Sequence, residues 1–184
     1  MLAVFGVANF AATPAITAGV PLLAKMRGWT APEYGWVMAG FALGCVGGAV
    51  TLALWGARLR HPARWSAGSM APGAAAVSVI GLAESSTAAA CAAALAGVTF
   101  QAGAGALMAT IKHTTPAEEM GRMMSLVQMS VYSLIPAGLV TFGAVAAATS
   151  AREAQLLMAA VMAAGGVAAL SVRALRDVRV GEGA

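Results

Sequence analysis

Long runs of apolar residues alternate with short charged segments along the whole chain. Uncharged stretches cover residues 1–24, 34–57, 65–83, 85–111, 123–151 and 154–172. Each is at least 19 residues long, and a hydrocarbon core of roughly 30 Å takes about 20 helical residues to cross. The pattern predicts an all-α polytopic membrane protein with six spans, at about 3–24, 34–57, 65–83, 85–111, 123–148 and 152–172, followed by a basic cytoplasmic tail over 173–184. Strands of a membrane barrel would be shorter and would alternate apolar with polar positions. The pattern is weakest in the third span, which is rich in Gly, Ala and Ser, and at the break around Glu84.

The polar punctuation agrees with these boundaries. Thr30 with Glu33, Thr115 with Glu118, and Ser150 with Glu153 each have the spacing of a capping box ahead of spans two, five and six. Trp29, Trp36, Trp55 and Trp65 fall near span ends, where an indole sits at the headgroup level. With alternating spans, one side receives Arg58, Arg60, Arg64, Lys112, Arg122, Arg173, Arg176 and Arg179, and the other only Lys25, Arg27 and Arg152. The positive-inside bias then places both termini in the cytoplasm, and the cell (inner) membrane is the expected location. The first run lacks a basic leader and is too long for a secretion signal, so it is expected to be a retained span.

Composition excludes several function classes. The 184 residues are 60% hydrophobic and 10% charged, far below the charged fraction of soluble domains. The excess of 11 Lys and Arg over 7 Asp and Glu lies between apolar runs rather than on one polar face, which argues against nucleic acid as a partner. Cys45 and Cys91 sit inside apolar runs without metal or disulfide spacing, and His61 and His113 occupy loops without ligand partners; no metal or cofactor is expected. There is no nucleophile elbow, zinc-protease motif or Walker loop, and no span contains His or Asp, so an enzyme is not expected. A channel is harder to exclude, because a carbonyl filter needs no side-chain signature.

Within the spans, Gly40, Gly44 and Gly48 share one helix face and would admit a neighbouring helix closely; Gly97, Gln101 and Gly105 make a similar face in span four. Pro14, Pro72 and Pro136 lie inside spans one, three and five, where each removes a helical hydrogen bond. Asn9, Thr13, Gln101 and Gln128 are candidate substrate-cavity residues, with Ser125 and Ser133 beside Gln128. The competing reading is ordinary interhelical hydrogen bonding, worth about 0.6 kcal/mol on average. Gln101, flanked by glycines, fits that reading better than Asn9 or Gln128 does. No Asp, Glu, Lys, Arg or His lies at a span centre, so the sequence offers no obvious proton relay.

The segment Thr114-Thr115-Pro116-Ala117-Glu118-Glu119-Met120-Gly121-Arg122-Met123-Met124-Ser125-Leu126 resembles the stretch between helices ten and eleven of major facilitator exporters. Gly28-Trp29-Thr30, leading through Gly35 to Gly40, Gly44, Gly47 and Gly48, is similar to the entry and body of their helix eight, and Pro136-Ala137-Gly138 extends the likeness. The nearest branch is drug, macrolide and siderophore efflux. The resemblance implies a six-helix second half of such a transporter, with spans one and four lining a midplane cavity and Thr115, Pro116, Glu118, Gly121 and Arg122 forming a cytoplasmic loop motif. Arg122 with Glu118 or Glu119 would gate one access state, or serve simply as a topology anchor beside a helix cap. The echo between Thr30-Ala31-Pro32-Glu33 and Thr115-Pro116-Ala117-Glu118 is what an inverted repeat of three spans would leave, although four residues alone are within chance.

The departure is the Gly-x-x-x-Asp-Arg-type loop of the family's first half, which has no counterpart here; 58–64 holds Arg58-Leu59-Arg60-His61-Pro62-Ala63-Arg64. The expected role is efflux of a small amphipathic compound across the lipid bilayer, together with a second six-helix half: a separate chain, a missing N-terminal half or another copy. The alternative is a six-span scaffold that packs on other membrane proteins through its glycine faces and transports nothing.

Overall fold

The computed structural model describes residues 2–56 and 61–171, with side chains from Gly6 onward. The predicted tail at 173–184 and the cations Arg58, Arg60, Arg173, Arg176 and Arg179 lie outside the described residues. The elements are α1 (Leu2–Pro14), a π-helical turn (Ala15–Gly19), α2 (Val20–Arg27), α3 (Ala31–Trp55), α4 (Pro62–Leu82), α5 (Ser86–Thr114), a 3-10 turn (Ala117–Glu119), α6 (Met120–Ala148) and α7 (Ala151–Ser171). With α1, the π turn and α2 counted as one rod, six rods follow one another. Five of the rods are long and apolar enough to cross a membrane. The sixth, α4, carries Arg64, Ser66, Ser69 and Ser78, but its 21 residues still reach about 30 Å at 1.5 Å per residue. Two of its hydroxyls are returned to the helix itself, Ser69 to the Ser66 carbonyl (2.8 Å) and Ser78 to that of Ala74 (2.9 Å).

Local chemistry fixes the ends. Thr30 and Glu33 form a complete capping box on α3. The α2 helix ends in a Schellman turn, with Gly28 at φ 67° and the Trp29 N–H on the Ala24 carbonyl at 2.9 Å. Ser85 caps α5 by accepting from the Ala88 N–H (3.2 Å), and Ser150 accepts from the Glu153 N–H at the same distance. The box expected from Thr115 and Glu118 does not form. Pro116 holds an extended backbone, and neither the 3-10 turn that follows nor α6 has a side-chain cap. Glu118 therefore lies within that turn, one element too early to cap α6.

Arg27 ties the loops on one membrane face together. Its guanidinium donates to the carbonyls of Ile80 (3.0 Å) and Gly81 (2.5 Å), which α4 leaves unsatisfied at its last turn. It also stacks over Trp29 at 5.2 Å, and the Trp29 indole N–H donates to the Glu84 carbonyl at 3.3 Å. The break at Glu84 is thus a tight turn held from the neighbouring loop.

The packing has an internal twofold logic. α3 packs chiefly on α5, α4 on α5 and α7, and α1 on α6 and α7. Exchanging the first three rods for the last three turns α3·α5 into α6·α1 and α4·α5 into α7·α1, and leaves α4·α7 unchanged. Each triplet has an odd number of rods, so the second enters from the opposite face and the repeat is inverted. Buried residues concentrate on α1, α4, α5 and α7, whereas the equivalent pair α3 and α6 is the least buried, with Trp36, Leu43, Val46, Met129, Tyr132 and Val140 exposed.

Candidate functional site

An inner cavity of about 40 Å³ lies where α1, α4, α5 and α7 meet, lined by Asn9, Ser66, Ser69, Thr99, Met70 and Met162 among others. Asn9 and Ser66 are buried. The Thr99 hydroxyl donates back to the Leu95 and Ala96 carbonyls at 3.0 Å each, so its oxygen keeps acceptor capacity toward the cavity. A space of this size and polarity suits one or two waters. It is far below the ~300 Å³ at which small-molecule pockets begin.

A second, larger cleft of about 780 Å³ lies between α3, α4, α5 and the end of α7, with His61, Arg64, Trp65, Gly68, Pro72 and Val98 in its wall. Arg64 and Trp65 at its mouth are exposed.

The predicted cavity residues are dispersed in this arrangement. Asn9 joins Ser66, Ser69 and Thr99. Thr13, one turn further along α1, is half-buried, and its carbonyl accepts from the Thr17 hydroxyl at 2.8 Å. Gln101 packs beside Gly48, with 3.1 Å between its Cβ and the place a Gly48 Cβ would occupy. Gln128 is exposed on α6, as are Ser125 and Ser133. Thr13, Gln101 and Gln128 line neither of the two cavities.

The glycine faces of α3 and α5 meet each other. A Cβ at Gly40 would stand 2.6 Å from the Ala90 carbonyl oxygen and one at Gly48 2.5 Å from that of Val98, while one at Gly44 would collide with that of Ala94. Gly97 in turn lies on the Phe41 carbonyl. The contacts climb both helices in steps of four residues in the same direction, so α3 and α5 run parallel with backbones nearly touching.

The loop motif is a surface feature here. Thr115 is extended ahead of Pro116, as a residue before proline must be. Glu118, Glu119, Gly121 and Arg122 are exposed, and a Cβ on Gly121 would meet nothing within 4 Å. Packing among the described residues therefore places no demand on a glycine there.

The sequence reading missed Gln155. It is completely buried on α7, and neither its amide nitrogen nor its amide oxygen has a hydrogen-bond partner among the described residues. Its side chain rests against Gly19 of the π turn and against Gly81. Its place one turn inside span six hid it, because polar residues near span ends ordinarily reach water.

The sequence model of the family described as Major Facilitator Superfamily matches residues 1–182. The chain belongs to the major facilitator superfamily. No curated protein and no solved structure matches it. Membership in this transporter family accounts for the multi-pass helical architecture and the inverted pairing of the rods, and it fits a protein that moves solutes rather than transforms them. It also gives the least-buried pair, α3 and α6, a reason to be apolar on the outside. They face either lipid or a further bundle, and both are satisfied by an apolar surface.

Proposed function

We propose that this major facilitator chain acts as one six-helix half of an efflux transporter that exports a small amphipathic compound from the cytoplasm across the inner membrane. Both termini lie in the cytoplasm in this reading, and a second six-helix half completes the path. The observation that carries it is the family match over residues 1–182, on a chain whose least-buried helices, α3 and α6, are the repeat-related pair. A substrate path between two halves would run along such outward faces. Gln128, Ser125 and Ser133 lie exposed on α6 and would then meet the substrate, while Asn9 and Thr13 would act from α1. The six-span scaffold reading loses its main support, because Gly40, Gly44 and Gly48 are occupied by α5 and offer no docking face.

The test is retention of amphipathic fluorescent dyes in cells that carry the chain with its natural neighbours, compared with cells carrying Gln128→Ala or Asn9→Ala at matched membrane abundance. Raised dye retention in both variants is the expected result. Unaltered retention in both, across a panel of dyes that the intact protein clears, would remove these residues from the path.

A further inference from the structure

The large cleft beside α4 is a second candidate site, and its chemistry differs from that of a transport path. Its mouth is the N-terminus of α4, a 21-residue helix capped by His61 without any side-chain hydrogen bond. Pro62 has no N–H, and the Ala63 and Arg64 N–H groups have no acceptor within their own helix, so this end carries partial positive charge. The Arg64 guanidinium adds a full one, and it is exposed. The Nδ1 atom of His61 is buried and has no hydrogen-bond partner among the described residues. Among the described residues that line the cleft, none is acidic. The Ala63 and Arg64 N–H groups and the Arg64 guanidinium are donors that suit an anion, and His61 adds a third kind of donor in its Nδ1–H tautomer.

Beyond the mouth the wall is mostly apolar, through Gly68, Pro72 and Val98, and the hydroxyls of Thr51, Ser69 and Thr99 beside them donate to carbonyls of their own helices. From His61 to Pro72 the helix rises about 16 Å at 1.5 Å per residue, so the cleft runs far into the hydrocarbon region. Trp65, 49% exposed, stands at the rim, where indoles mark the headgroup level. Cationic donors at the interface above a long apolar trough match one molecule with both features.

We propose that this cleft binds an anionic phospholipid of the adjoining leaflet, with the phosphate at the α4 N-terminus beside Arg64 and His61 and an acyl chain along Gly68, Pro72 and Val98. The site is independent of what the protein transports. A zwitterionic lipid supplies the chain but brings its own cation to Arg64. A free phosphate supplies the charge but leaves the trough empty.

The test reconstitutes the full chain in bilayers where either an anionic or a zwitterionic phospholipid carries brominated acyl chains, at equal mole fractions. The readout is the quenching of Trp65, taken as the part of the fluorescence that Trp65→Phe removes. The expected result is quenching by the anionic lipid at an apparent affinity about five-fold above the zwitterionic one, the preference one basic residue near the membrane surface confers. Arg64→Gln should abolish that preference. Gly68→Leu should weaken quenching by both lipids, and because a Cβ at Gly68 meets nothing within 4 Å this variant fills the trough without disturbing the helix packing. Excess inorganic phosphate should leave the preference intact. Equal quenching by the two lipids, a preference unchanged in Arg64→Gln, quenching unchanged in Gly68→Leu, or removal of the preference by inorganic phosphate would each overturn the proposal.

Discussion

The seam between α3 and α5 and the seam between α1 and α6 are counterparts under the inverted repeat, and they are built differently. In the first, Gly40, Gly44, Gly48 and Gly97 bring backbone onto backbone over more than two turns. In the second, one glycine does this: Gly138 lies on the Phe10 carbonyl and the Pro14 ring, while Gly6 meets only the end of the Leu134 side chain. Pro14 cannot donate to the Phe10 carbonyl along the helix, and the rod then continues through the π turn at Ala15–Gly19. One seam is a rigid weld, and the other joins an interrupted helix to its partner at a single tight point. Irregular backbone inside a membrane persists only where neighbouring protein covers it, and Phe142 and Gln155 cover this turn at Gly19. The repeat thus conserves helix placement while leaving compliance to differ between the halves, which gives the pliable seam to the rod bearing Asn9 and Thr13.

Substitutions can break that contrast in graded steps. Gly44→Leu should have the largest effect, since its Cβ would enter the Ala94 carbonyl and no side chain can swing aside. A loss of about 3 kcal/mol or more is expected, seen as failure to accumulate or a collapsed thermal transition in detergent. Gly138→Ala drives the same kind of collision at one point, in a seam with an irregular helix to absorb it. About 2 kcal/mol by the same measurement would place it between the weld and a free surface; a loss equal to that of Gly44→Leu would show the two seams to be equally stiff. Gln155→Met removes an amide that is buried and unpartnered, and should raise stability by about 1 kcal/mol. A destabilised Gln155→Met protein would instead mean that the amide is satisfied in the membrane, for instance by water at the π turn. Gly6→Ala should be the mildest, under about 0.5 kcal/mol, because its Cβ meets the mobile Leu134 Cδ1 at 2.5 Å and the substitution favours the helix.

The rods were legible in the sequence because a bilayer demands unbroken apolar length, and the runs that supply it are interrupted at charged or capping residues such as Arg27, Glu84 and Lys112. Thr30 with Glu33 was readable for the same local reason. The matching pattern at Thr115 failed because the residue after it is Pro116, whose extended backbone and following 3-10 turn displace the helix start. The two glycine faces were each visible from spacing, but that they face one another is a property of the bundle and no single helix records it. The π turn was hidden further still, since Pro14 marks the weakness and only Gly19, Phe142 and Gln155, brought together from three rods, determine how it is resolved. The site was the least legible part. Asn9 shares its cavity with Ser66, Ser69 and Thr99, small hydroxyls that read as filler in two Gly- and Ala-rich spans.

The measurement that reaches the central claim most directly is export itself. Native cells lacking the chain should retain more of at least one amphipathic dye than cells in which it is restored, and Gly121→Ala, which meets no packing obstacle, should keep the protein in the membrane while lowering clearance if the 115–122 loop motif serves transport. Identical retention with and without the chain, at verified membrane abundance and across the whole dye panel, would contradict the account.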